Sequence, residues 1–259
     1  MNILMQQWYK IAIGSMIGLA TIILLITNAI LIMTHMSAVP NFSKIQNKDL
    51  QNQVFFAYLL PIAQQANTTS NRARQHIISL QQEFLKTNTI NQHDYEWLKY
   101  TFKKSILFDP NNDHHWQRLF NSVDIVPISL ILAEAAYQSA NYSRTLSRKS
   151  YNLFGLVCHK VNCGFSLPQN HNNSVFSTVE LTIFPSLQKA IDDFLYQLAN
   201  NPRYQDFRLA RAEARKRGEM LNGYQLIGCE KKHRKIKSLY NKHICKLIKR
   251  YQLTRYDNV

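Results

Sequence analysis

Residues 123–155 read VDIVPISLILAEAAYQSANYSRTLSRKSYNLFG, and the first half of that stretch decides the fold. Asp124 is placed to N-cap a helix, and Pro127 falls in its first turn, where a missing N–H is no loss. ISLILAEAAY follows, with small residues stacked along one side. So apolar a segment predicts a helix buried at the centre of a domain. Glu134 and Gln138 share one face of it, a turn apart. Beyond Gly155 the helical period disappears. Gly164, Pro168, an Asn-rich tip (Asn170, Asn172, Asn173) and the alternating run VFSTVELTIF up to Phe184 predict a loop and then one arm of a small hairpin.

Working outward, VFFAYLLPIAQQAN from Val54 has its apolar residues at helical spacing, with Pro61 able to kink the helix or start a new turn. Ile77, Ile78, Leu80, Phe84 and Leu85 continue the pattern, and Tyr95, Trp97, Leu98 and Phe102 repeat it before a turn at Asp109-Pro110-Asn111-Asn112. Helices resume at Pro185, at Pro202 and from about Lys231 to the end. The expectation is one mainly α (α+β) domain over 54–259 with a small β-hairpin excursion. With 7 Gly and 7 Pro among 259 residues, a turn-dense sandwich or a low-complexity chain is excluded.

The N-terminal region differs in kind. From Ile11 to Met33 the chain runs 23 residues without a charge, enough helix to cross the roughly 30 Å hydrocarbon slab. Trp8 and Tyr9 sit where interfacial aromatics belong, and Lys10 flanks the N-terminal side. The positive-inside rule then makes 1–10 cytoplasmic, 11–34 one transmembrane signal anchor in the inner membrane, and 35–53 a polar Asn/Gln-rich linker to a domain in the periplasm. A cleaved signal, releasing a secreted form, is the competing reading; its apolar region would be shorter. A mean hydropathy of −0.28 excludes a polytopic membrane protein. The formal charge is +15, from 31 Lys and Arg against 16 Asp and Glu. It favours an anionic partner, and in an exported domain that partner is not expected to be nucleic acid.

The stretch at 123–155 resembles the core of the bacterial glucosaminidase-type cell-wall hydrolases, glycoside hydrolase family 73, and within it the Bax-type envelope branch. That pattern reads V-x-x-V-P, then L-A-Q-A-x-x-E-S-G-W-G, then a basic stretch ending N-L-[FW]-G. Val123, Val126-Pro127, Leu132-Ala133, Ala135, Ser139 and Asn152-Leu153-Phe154-Gly155 match it without a gap. FFAYLLPIAQQAN at 55–67, FPSLQKAIDDFLYQLANNPRYQDFRLARAEAR from Phe184, LNGY at 221–224 and LIKRYQLTRYD at 247–257 extend the likeness in order. The resemblance implies a lysozyme-like fold acting on the glycan strands of peptidoglycan, with no cofactor. A carboxylic acid at the end of the central helix protonates the glycosidic oxygen, and a second carboxylate or a held water works from the other side.

The acid of that pattern falls on Gln138, which has no proton to give. The Gly, Trp and Gly that follow are replaced by Ala140, Asn141 and Tyr142, while Glu134 stands where the pattern has Gln. Either Glu134 has taken over as the acid, or the cleft has kept binding and lost chemistry. A one-turn displacement of about 5.4 Å against a hydrogen-bond reach of about 3 Å favours the second reading. Glu180 is the candidate second carboxylate, or else an exposed strand residue. By resemblance Ser139, Tyr142, Tyr151, Asn152, Phe154, Tyr224 and Tyr240 are candidates to meet sugar, with a core role for Phe154 and a turn-capping role for Asn152 as the plainer alternatives. A non-enzymatic wall-binding module that recruits an unidentified envelope protein is the other class of function.

Cys158 and Cys163 flank a four-residue loop, and Cys229 and Cys245 form the other candidate pair; in an exported domain both are expected as disulfides rather than as a metal site. Residues 231–250 carry nine Lys and Arg and no carboxylate along an apolar stripe. That segment is either an amphipathic helix packed on the domain with its basic face solvated, or one drawn to anionic lipid or wall carboxylates.

Overall fold

The computed structural model describes residues 39–102, 108–158, 160, 162–166, 180–229 and 239–257. The folded body begins at a 3-10 turn, Phe42–Lys44, and continues into α1, Lys48–Thr87. Residues 42–53, expected in the polar linker, are therefore part of the domain. Asn47 caps α1 by accepting from the amides of Asp49 and Leu50, while Gln51 is buried and donates to the Phe42 carbonyl. Pro61 lies inside this single 40-residue helix without ending it. Among the described residues no helix is long and apolar enough to cross a membrane; the expected anchor at 11–34 lies outside them.

The two halves of α1 serve different cores. Its N-terminal half places Phe55, Leu59, Ala63 and Ala66 against the central helix. Its C-terminal half, with α2 (Gln92–Phe102) and α3 (Asp113–Ser122), surrounds a satellite core of Ile77, Leu80, Phe84, Leu98, Phe108, Trp116 and Leu119. The central helix α4, Ile128–Ser139, is buried along nearly its whole length, Glu134 included. It is followed by a short α5 (Thr145–Ser150) and a three-stranded antiparallel sheet: β1 (Val157–Cys158), β2 (Gly164–Ser166) and β3 (Glu180–Thr182). The sheet order is β1-β3-β2, with Val157 opposite Leu181 and Phe165 opposite Leu181 on the other side. The excursion is thus a sheet rather than a lone hairpin. Gly164 permits its closeness: a Cβ there would sit 2.0 Å from the Leu181 carbonyl oxygen. Helices α6 (Leu187–Asn200), α7 (Gln205–Lys216), α8 (Gly223–Leu226) and α9 (Leu239–Arg250) complete the domain, with 3-10 turns at Pro202–Tyr204 and Leu253–Tyr256.

Asp124 does not cap α4. Its buried carboxylate receives Arg215 Nη2 at 2.9 Å and lies 3.5 Å from Arg74 Nη1, forming an ion cluster under the helix start. The cap comes from the far end of the chain: Asp257 accepts from the Ser129 amide at 2.8 Å, the Ser129 hydroxyl at 2.7 Å and the Gly223 amide at 3.1 Å. Sequence spacing can find only a local cap, and this one spans 128 residues.

Both cysteine pairs, Cys158–Cys163 and Cys229–Cys245, are disulfide-bonded. The second joins the turn after α8 to the middle of α9 across a separation of 16 residues, a closure worth about 3 kcal/mol. Replacing both Cys229 and Cys245 with serine is expected to lower stability by about that amount in chemical denaturation. An unchanged midpoint would show that the bond does not constrain the unfolded chain.

Candidate functional site

A cavity of about 490 Å³ opens beside α4. Leu130, Glu134 and Gln138 line it from the central helix, at the i, i+4, i+8 spacing that puts one helix face on one wall. Phe194 and Leu198 of α6 give an apolar wall, Arg203, Tyr204 and Asp206 come from the 3-10 turn and the start of α7, and Leu226 to Gly228 and Tyr240 close it from α8 and α9. The Cys229–Cys245 bond ties these last two pieces together one residue beyond Gly228.

Glu134, Gln138 and Tyr240 form one polar chain. The Gln138 amide nitrogen donates to the Tyr240 hydroxyl at 3.1 Å, and the same hydroxyl is hydrogen-bonded to the Glu134 carboxyl. Tyr240 is held in place by an edge-to-face contact with Tyr137, which also stacks on His243. Burial lifts the Glu134 carboxyl from 4.5 to about 8, because the ionised form would be stranded from water. Burial raises Tyr204 as well, with the Glu134 charge adding to it. Gly155 adopts a left-handed backbone with φ of 64° beside Gln138, where a Cβ would make ordinary contact, 3.5 Å from Oε1. The N-L-F-G turn therefore backs directly onto the amide.

The other expected sugar-facing residues are placed differently. Ser139 is buried, donating to the Ala135 carbonyl and accepting from the Tyr142 amide. Tyr142 is 3% exposed, packed against Phe42, with its hydroxyl on the Arg148 carbonyl; no face is left for a sugar. Asn152 is buried too, its amide donating to the Leu156 and Thr182 carbonyls and clamping the turn to β3. Phe154 stacks on Phe194 at 4.1 Å, behind the cavity wall. Tyr151 and Tyr224 are half-buried outside the cavity lining. Glu180 is neither an exposed strand residue nor in the cavity: it is buried, accepting from the amides of Asn162 and Gly164 and so fixing the Cys158–Cys163 loop. The basic residues from Lys231 to Lys237 lie outside the described residues.

The backbone at the end of α4 is unusual. Ala140, Asn141 and Tyr142 all have positive φ, 50°, 56° and 59°, a left-handed run that side chains disfavour. Two of those positions are glycine in the pattern that the chain resembles. The side-chain oxygen of Asn141 is buried without a hydrogen-bond partner. Among the polar cavity residues, Tyr204, Asp206 and Arg203 were given no role by sequence reasoning. They sit in the segment NNPRYQDFR, where nothing in their spacing links them to Glu134.

Comparison with known proteins identifies a family. The sequence pattern of the glucosaminidase family, described as mannosyl-glycoprotein endo-beta-N-acetylglucosaminidase, matches residues 113–253, more than half of the chain. Protein bax of Escherichia coli (strain K12) is 29% identical over 112 residues, which is 43% of this chain and 38% of that protein. The match thus spans well under half the length of that relative. No solved structure matches.

Proposed function

This chain belongs to the glucosaminidase family, and from that membership we propose that it engages the glycan strands of peptidoglycan in the cavity beside α4, as an N-acetylglucosaminidase-like envelope protein. The observation that carries the reading is the meeting of Glu134, Gln138 and Tyr240 on one wall of that cavity, with the N-L-F-G glycine behind them. Polar groups there can address hydroxyl and acetamido groups, while Phe194 and Leu198 offer an apolar surface to the sugar's C–H face. The net charge of +15 suits a wall that carries carboxylates. Residues 11–34 would anchor the protein in the inner membrane, with the domain in the periplasm.

A second reading, a wall-binding module that does not cleave, is favoured by one observation: the amide at position 138. Both readings require binding. The purified full-length chain is expected to co-sediment with isolated sacculi, and absence of co-sedimentation at every pH tried would overturn the assignment to peptidoglycan.

A further inference from the structure

We propose that Tyr240 delivers the proton to the departing glycosidic oxygen and Glu134 replaces it, the pair standing in for the carboxylic acid that position 138 lacks. This rests on the glycan-directed reading above and adds to it a working chemistry.

The geometry removes the obstacle of the one-turn displacement. Glutamine and glutamate have the same shape, so the Gln138 amide nitrogen marks where a carboxyl oxygen at that position would lie. The Tyr240 hydroxyl stands 3.1 Å from it and is bonded at the same time to Glu134. A group set too deep to reach the substrate thus has a hydroxyl carrying its reach one step outward.

The hydrogen-bond count decides when the relay is armed. A phenol oxygen has two acceptor sites and one proton. The Gln138 N–H fills one acceptor site. In the structure the phenol donates to the Glu134 carboxyl; once Glu134 is protonated, its O–H can occupy the other acceptor site instead, which frees the phenol's own proton to point into the cavity. When Glu134 is ionised, that proton is drawn to the carboxylate and nothing is left for a substrate. The amide at position 138 is a consistent partner, since its nitrogen donates to the phenol oxygen. Burial keeps Glu134 largely protonated below about pH 8. The other ionisable groups facing it are Tyr240 from α9, Arg203 and Tyr204 from the 3-10 turn and Asp206 from α7, while α6 and α8 contribute apolar residues and backbone. On the α4 flank, Asp257 is engaged by Ser129 and Gly223.

In the step itself the bond from the anomeric carbon to the glycosidic oxygen breaks, its electron pair staying on oxygen. That oxygen takes the Tyr240 proton, and the phenol oxygen takes the Glu134 proton. A water oxygen bonds the anomeric carbon and releases one proton to solvent through Asp206, the other carboxylate lining the cavity. Solvent then reprotonates Glu134, so one water is consumed and no other reactant is needed.

The test measures soluble muropeptide release and sacculus co-sedimentation side by side, with the full-length chain, from about pH 5 to 9.5. Release by the unaltered protein is expected to fall about tenfold per pH unit above about pH 8. Tyr240→Phe and Glu134→Gln each remove one proton-carrying group with little change of shape. Each is expected to cut release by about 100-fold or more while co-sedimentation persists, and to flatten the alkaline limb of what remains. Variants that release as well as the unaltered protein would overturn the proposal. So would an unaltered protein that binds sacculi and releases nothing, which leaves the binding reading standing. Failure to bind at all would instead remove the glycan-directed reading itself.

Discussion

Arg211→Met is expected to destabilise the domain by about 3–5 kcal/mol, since backbone carbonyls left buried without a partner cost about 1–3 kcal/mol each. The Arg211 side chain is 2% exposed. Its Nη1 donates to the carbonyls of Asp124 at 3.3 Å and Ile125 at 3.0 Å, and its Nη2 to those of Asn121 at 2.8 Å and Ser122 at 3.2 Å. Those carbonyls belong to the end of α3 and the turn leading into α4. Methionine fills similar volume and supplies no donor, so up to four carbonyls would be left buried and unpaired. The Asp124 carboxylate keeps Arg74, Arg215 and the Ile125 amide. Because this cluster sets the start of the helix that carries Glu134, the variant should also lose sacculus binding before its global transition. For a domain of this size each kcal/mol moves the melting temperature by about 2–4 °C, so a fall near 10 °C is the expected reading. A fall of less than about 3 °C would mean that the carbonyls find other partners.

How much of this was legible beforehand depends on the range of the interaction. The central helix was legible because ISLILAEAAY is apolar around most of its circumference, and a solvent-facing helix would not be. The cysteine pairs could be matched from chain order and the expectation of an exported domain. Asp124 shows the opposite case. Its position before Pro127 satisfies every local rule for a cap, yet Arg215, 91 residues away, takes its carboxylate, and Asp257 takes the cap. Pro61 misleads in the other direction: a lone proline removes one helical hydrogen bond at a cost of about 3 kcal/mol. The buried face of Phe55, Leu59, Ala63 and Ala66 on either side outweighs that cost.

The site divides the same way. Glu134 and Gln138 were visible as one helix face because a four-residue spacing is a local property. That Tyr240 meets them was not legible, since it arrives from α9, 102 residues beyond Gln138. Tyr142 and Asn152 are aromatic and amide side chains in the right stretch for sugar contact, but the left-handed turn after α4 rotates Tyr142 toward Phe42. Residue type predicted what those side chains can bind, and the backbone decided what they meet.

Glu134 should leave a signature in stability as well as in chemistry. Its folded-state value of about 8 lies above the ordinary 4.5, so between those limits the folded protein holds a proton that the unfolded chain has released. Raising pH through that window therefore favours unfolding. Each unit of separation is worth about 1.36 kcal/mol, which puts the accumulated loss above pH 8 at up to about 5 kcal/mol. Glu134→Gln abolishes the titration while keeping the shape and the contact with Tyr240. The variant is expected to match the unaltered protein within about 1 kcal/mol near pH 4.5 and to exceed it by several kcal/mol at pH 8.5, read from urea midpoints at each pH. Asp257, also raised by burial, contributes a slope of the same sign to both proteins, so the difference between the two curves isolates Glu134. Parallel curves would place the Glu134 carboxylate in water and disarm the proton relay with it. Diverging curves would show that the domain gives up stability at alkaline pH to keep one carboxyl protonated beside a cavity, a cost typical of residues retained for function.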